Sequence, residues 1–190
     1  GRRTRTGWRD DLADVAASDG YLDMNPAHII RETLTNTTWG GMGYPESDLD
    51  DDSFAAAAYT LASGTGATQE GLGLALLWAK DTSVEEFLQV ILRHIDGVLF
   101  FSHVTGLLTL RLVRADYAKA MLPVLDPSNV LELVEYAVPV ASEAVNQVTV
   151  NWVDRSNQAR ATTVQDLAGI TRSGGQIIAA TLDFPGIAVE

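Results

Sequence analysis

Residues 83–114 read SVEEFLQVILRHIDGVLFFSHVTGLLTLRLVR, and the period of the apolar positions changes once within them. Val84, Phe87, Leu88, Ile91, Leu92 and Ile95 recur at the three-and-four spacing that lines one face of a helix. Ser83 with Glu86 three residues on has the form of a capping box, in which hydroxyl and carboxylate each satisfy an orphan N–H of the first turn. Arg93 and His94 stand at the negative end of the helix dipole, and Gly97 is placed to take a left-handed stop. Beyond it the period becomes two. Leu108, Leu110 and Leu112 share one face, Thr109, Arg111 and Val113 the other, with a Thr105-Gly106 turn between two strands. The stretch predicts one amphipathic helix feeding one β-hairpin.

On the N-terminal side, Asn25 as N-cap and Pro26 at the first helical position open a helix whose Ala27, Ile30 and Leu34 fall on one face. Residues 10–17 predict a short helix that Asp19-Gly20 ends. The loop NTTWGGMGYPE (36–46) sets Trp39, Met42 and Tyr44 among three glycines. It reads either as a contact surface rich in hot-spot residue types or as an Ω-like lid packed back on the preceding helix. SDLDDDS (47–53) complements the positive end of a helix with Phe54, Ala57, Ala58 and Leu61 on one side. Residues 63–70 are a connector, and GLGLALLWAK (71–80) has the composition of a buried strand.

On the C-terminal side, alternation predicts strands at 129–138, 145–154 and 159–166, the last two as an antiparallel pair. A short helix capped by Asp166 and stopped at Gly174-Gly175 follows, then a closing strand over 176–185. The order describes an α+β fold with mainly antiparallel sheet and packed helices. Residues 1–20 are expected to be an arm or linker from a preceding domain. Residues 21–190 form one domain, divisible near 125/126. The opening GRRTRTGWRDD lacks Met and an apolar h-region, which suggests a processed chain or a segment of a longer protein rather than a secretory signal.

At 190 residues and 46% hydrophobic content the chain supports one sizeable core. Its apolar runs fall short of the ~20 residues of a membrane span. With no cysteine, disulfides, thiol nucleophiles and thiolate metal sites are excluded. A net charge of −12 argues against sequence-independent nucleic-acid binding. Asp48, Asp50 and Asp52 match the first ligand positions of a calcium loop, but Ser53 replaces its glycine and Tyr59 its bidentate glutamate. Gly64-Thr65-Gly66 lacks the third glycine of a dinucleotide motif, and Leu72 follows Gly71 where a P-loop has lysine. His28, His94 and His103 show no metal-pair spacing, and there is no nucleophile elbow. Glu85-Glu86 belong to a solvated helix face, while Glu132, Glu135 and Glu143 fall in expected strands. No catalytic residue, cofactor or metal is expected.

Several ordered blocks carry a resemblance: NPAHIIRETLTNTTWGGMGYPESDLDDDSFAAAA, EGLGLALLWAKDTSVEEFLQVILRHIDGVLFF, TGLLTLRLVRADY, LPVLDPSNVLELVEYAVP, VNQVTVNWVD, TVQDLAGI and DFPGI. Over about residues 22–187 the chain resembles the tail-component domain of phage tail tip attachment proteins. These are baseplate-hub proteins, found also in gene transfer agents. The resemblance implies a hub-type structural domain, not an enzyme. It implies assembly at a virion tail tip after synthesis in the host cytoplasm, as a homotrimer in the full-length context. The partners it implies are the distal tail protein, tape measure and fibre, with no nucleic acid and no membrane span. Candidate interface residues are Trp39, Met42, Tyr44, His103 and Trp152. The alternatives from a different class are a tail-associated cell-wall glycan hydrolase using a carboxylate pair and a carbohydrate-binding module stacking sugars on Trp39, Tyr44 or Trp152.

Overall fold

The computed structural model describes residues 8–17, 20–63, 71–76, 83–114, 117–132, 134–135 and 144–187. The fold is α+β. The chain divides into two compact units, one built from Gly1–Val113, Trp152–Arg160 and Phe184–Glu190, the other from Arg114–Asn151 and Ala161–Asp183. The expected connector at 64–70, the second half of the expected strand at 71–80, and residues 136–138 and Glu143 lie outside the described residues.

The first unit opens with a 3-10 turn, Asp10–Leu12, and a two-stranded hairpin of β1 (Asp14–Ala16) and β2 (Leu22–Met24), antiparallel with Val15 opposite Asp23. The short helix expected at 10–17 is therefore absent. Pairing with β2 supplies these backbone groups with partners across the chain, which overrides a weak local preference. The expected arm at 1–20 thus includes residues built into the first unit.

Helix α1 (Pro26–Thr35) starts as the sequence predicts. Asn25 Oδ1 accepts the Ala27 N–H at 3.0 Å, and its Nδ2 donates to the carbonyls of Leu12 at 2.9 Å and Ala58 at 2.8 Å. One fully buried amide therefore caps α1 and ties it to the N-terminal turn and to α2 (Asp51–Ser63). Asp50 accepts the Ser53 N–H at 3.3 Å at the start of α2. The same acidic run serves the sheet, because the Asp50 N–H donates to Leu108 O at 2.9 Å and Ser53 Oγ accepts the Leu110 N–H at 3.1 Å.

Helix α3 (Val84–His94) has the capping box formed, with Ser83 and Glu86 bonded both ways. The left-handed residue after it is Asp96, at φ 47, rather than Gly97. Gly97 instead opens β3 (Gly97–Phe101), where an added Cβ would crowd Ile95 at 2.9 Å. Aspartate tolerates the left-handed region better than most residues, and it frees Gly97 for close packing. Strand β4 (Leu108–Leu112) pairs antiparallel with β3, Gly97 opposite Leu112 and Phe101 opposite Leu108, around a turn with Gly106 at φ 72.

The core of this unit joins Ala27, Ile30 and Leu34 of α1, Phe54, Ala58 and Leu61 of α2, Leu88, Ile91 and Leu92 of α3, and Leu108 and Leu110 of β4. Each large side chain buried there contributes roughly 1.5–3 kcal/mol. Of the strand expected at 71–80, the described part forms a single bridge, Leu74 to Met24. Leu74 is nevertheless buried. Near the end of α3, His94 Nδ1 lies 2.6 Å from Val90 O, its Nε2 accepts the Gly186 N–H at 3.0 Å, and its ring meets Phe184 edge-on. Only the neutral tautomer with the proton on Nδ1 satisfies both contacts.

A three-stranded sheet, most of whose residues belong to the second unit, runs in the order β6 (Ala159–Gln165), β5 (Gln147–Val153), β7 (Ala179–Asp183). The connection over 154–158 is too short for anything but an antiparallel β5–β6 pair. Strand β7 pairs with β5 in parallel, Gln147 opposite Ala179, so this sheet is mixed. Helix α4 (Leu167–Arg172) lies between β6 and β7 in sequence and makes that crossover possible; Gly174 and Gly175, at φ 71 and 86, end it. Asn146 is the hub of this unit. Its Nδ2 donates to Ser173 Oγ and Gln176 O, and its Oδ1 accepts the Ile178 N–H at 2.8 Å.

The strand expected at 129–138 is not formed in its described part. A turn at 126–129 precedes it, with Asn129 Nδ2 donating to Val124 O at 2.7 Å, and Leu131 stands fully exposed. Alternation specifies a strand only when a sheet face exists to receive it.

Replacing Asn25 with Ala removes the cap and strands two buried carbonyls, and is expected to cost about 2–4 kcal/mol in urea unfolding. Asn25→Asp keeps the acceptor and should recover part of that loss. Equal melts for all three proteins would contradict the central place given to this side chain.

Candidate functional site

Helix α1 has a polar stripe as regular as its apolar one. His28, Arg31, Glu32 and Thr35 fall at i, i+3, i+4 and i+7, roughly a third of a turn round the helix from Ala27, Ile30 and Leu34. Such a stripe ordinarily faces water. Here His28, Arg31 and Glu32 are only 5%, 4% and 6% exposed.

Two segments cover it. Trp8 lies 4.7 Å from the His28 ring, centroid to centroid, and the Arg31 guanidinium sits 4.6 Å over the Trp8 ring. Trp8 Nε1 also donates to Asp51 Oδ1 at 2.6 Å. The second cover is the loop over 36–46, which turns back along the end of α1. The Met42 N–H donates to Thr33 O and the Tyr44 N–H to Leu34 O, both at 2.9 Å. Gly41 allows this approach, since a Cβ there would come within 2.5 Å of Asn36 O and 2.7 Å of Thr33 O.

The charges beneath are unevenly matched. Arg31 Nη2 donates to Glu46 Oε2 at 3.0 Å and stands 3.6 Å from Asp51 Oδ1. Glu32 Oε1 accepts from Asn36 Nδ2 at 2.7 Å and from Trp39 Nε1 at 3.2 Å. Among the described residues, three buried atoms find no hydrogen-bond partner: His28 Nε2, Arg31 Nε and Glu32 Oε2. Leaving such groups unpaired is costly. Beside them a cleft of about 550 Å³ opens, lined by Arg31, Glu32, Thr35, Thr37, Tyr44 and Glu46 among others.

The candidate interface residues separate. Trp39 and Met42 are 41% and 38% exposed, so the loop presents an apolar surface as well as packing on α1. Tyr44 is half-buried against the core and meets Phe101 edge-on at 6.4 Å. His103 is exposed in the β3–β4 turn. Trp152 is buried at 8% exposure and offers no stacking platform. The histidines have different surroundings, His28 under Trp8 and His94 against Gly186. Glu85 and Glu86 are exposed on α3, while Glu132 and Glu135 are exposed and outside any strand. Among the described residues no group of three or more His, Cys, Asp or Glu side chains is placed to hold a metal ion, and no helix is long and apolar enough to cross a membrane.

Sequence reasoning singled out the aromatic residues of the 36–46 loop and passed over the polar stripe they cover. The spacing of His28, Arg31 and Glu32 was visible; what Trp8 and Trp39 would do to it was not. Compared with known proteins, the chain matches no family model and no curated protein at a significant level.

Burial holds both His28 and His94 below the ordinary value of 6.5. For His28, Asp10 opposes that effect and Arg31 adds to it; for His94, the contact with Val90 O opposes it. The folded protein therefore holds both imidazoles neutral to lower pH than the unfolded chain, which takes up protons from about pH 6.5 downward. Stability present above that pH should fall as the pH drops through the histidine range. Melting temperatures between roughly pH 7.5 and 5.5 check the sign, since most carboxylates titrate lower. His94→Gln should flatten part of the slope, and a melting temperature that rises on acidification would exclude this account.

Proposed function

We propose that this chain is a structural component of a phage or phage-like tail tip or baseplate hub, located in the virion and acting in assembly and tail closure by oligomeric packing rather than by chemistry. One observation carries the reading. Among its described residues the second unit buries no apolar side chain to the level of a core, Asn146 being the residue that is buried. The same unit exposes Met121 at 83%, Val124 at 75%, Leu125 at 77%, Leu131 at 106% and Val134 at 87%. Exposed apolar surface, where it is contiguous, marks an interaction site.

The colinear resemblance to tail tip proteins supplies the kind of assembly: a homotrimer in the full-length context, with distal tail protein, tape measure and fibre as neighbours. The first unit supports a scaffold role by its physics. Its helices and hairpin are tied by backbone-directed side chains such as Asn25 and Ser53, which favour rigidity over motion. Exposed Trp39 and Met42 add a second surface with hot-spot chemistry.

Mass measurement in solution, on this chain and on any longer form that contains it, tests the reading; strict monomers in the full-length context would count against it. Leu125→Ser with Leu131→Ser should leave the unfolding free energy within about 0.5 kcal/mol, as surface changes do, while shifting the full-length assembly toward smaller species. Turnover of peptidoglycan by the wild-type protein would overturn the non-enzymatic part.

A further inference from the structure

The polar face of α1 combines a cleft with two buried, unsatisfied groups of opposite kind. Glu32 Oε2 lacks a donor and Arg31 Nε lacks an acceptor among the described residues, and both side chains line the same cleft. A volume near 550 Å³ is in the range of small-molecule sites.

The charges select the ligand class. One cation, Arg31, stands with three carboxylates, Glu32, Glu46 and Asp51, and already serves the last two. An added carboxylate on Arg31 would deepen that excess of negative charge, whereas a cation on Glu32 relieves it. The acceptor that Arg31 Nε lacks is therefore best neutral. The walls select further. Thr35, Thr37, Thr38 and Asn36 give the lining a hydroxyl and amide character suited to a polyhydroxylated ligand. The aliphatic stem of a lysine side chain would instead call for apolar walls.

We propose that this cleft binds an amino sugar, with its ammonium group on Glu32 Oε2 and a neighbouring hydroxyl oxygen on Arg31 Nε. Both atoms are buried, so the cleft wall formed by residues 36–46 must yield for a sugar to reach them. That wall is held to α1 through the Met42 and Tyr44 N–H groups and turns at Gly40 and Gly43, at φ 100 and 71. Trp39, on that same wall, donates to Glu32 Oε1 while the wall is closed. The inference does not rest on the assembly reading, and its failure leaves that reading untouched.

Calorimetric titration with glucosamine, N-acetylglucosamine and lysine amide tests it. Glucosamine should bind. N-acetylglucosamine, which keeps the ring and loses the charge, should bind at least about tenfold more weakly, as the loss of a charge-assisted hydrogen bond requires. Lysine amide should be weaker than glucosamine. Glu32→Gln should weaken glucosamine by a similar factor, and Thr38→Trp, at an exposed position on the cleft wall, should block it even if the first variant folds poorly. Absence of glucosamine binding, equal binding of the acetylated sugar, lysine amide binding as tightly as glucosamine, or no effect of either variant would overturn the proposal.

Discussion

Helix α1 has almost no face left for water, and much of the first unit follows from that constraint. Its apolar stripe joins the core with α2 and α3, while its polar stripe is sealed by Trp8 and by residues 36–46. A helix buried on both sides must have every polar group answered from elsewhere in the chain. Asn25 does this at its N-terminus, drawing Leu12 and Ala58 to one amide. Glu46 and Asp51 do it for Arg31. Where the answers run out, at Glu32 Oε2 and Arg31 Nε, the structure has a cleft.

The two units rest on different balances. In the first, side chains from four elements make a continuous apolar core, and the open edge of β4 is closed by the start of α2 through Asp50 and Ser53. In the second, the organising side chain is polar: Asn146 reaches residues 173, 176 and 178, and Asp166 donates its N–H to the Asn146 carbonyl. Hydrogen bonds specify an arrangement well but contribute little net stability, so a unit organised this way gains most from apolar contact with another surface. Leu125 and Leu131 are among the apolar side chains this unit exposes.

The local grammar of the chain was legible. The capping box of Ser83 and Glu86, the Asn25-Pro26 start, the hairpin turn at Gly106 and the double-glycine stop of α4 each involve groups a few residues apart, so their signals are local in sequence. The failures share a cause as well. Residues 10–17 became a turn and a strand because β2 was there to pair with them. The alternation at 129–138 came to nothing in its described part because no sheet face receives it. The parallel pairing of β5 with β7 depends on a crossover whose route the sequence does not encode locally.

For the candidate site the division is sharper. By itself the sequence determined that His28, Arg31 and Glu32 share one helix face, since 3.6 residues per turn leave no alternative once α1 forms. It also determined that glycines would surround Trp39. Only the tertiary structure decided that the face would be covered and not solvated, because that required Trp8 from before the helix and the backbone at Gly41 from beyond its C-terminus to arrive together. Burial is a property of what lies opposite, and a residue's own neighbours in sequence carry no record of it.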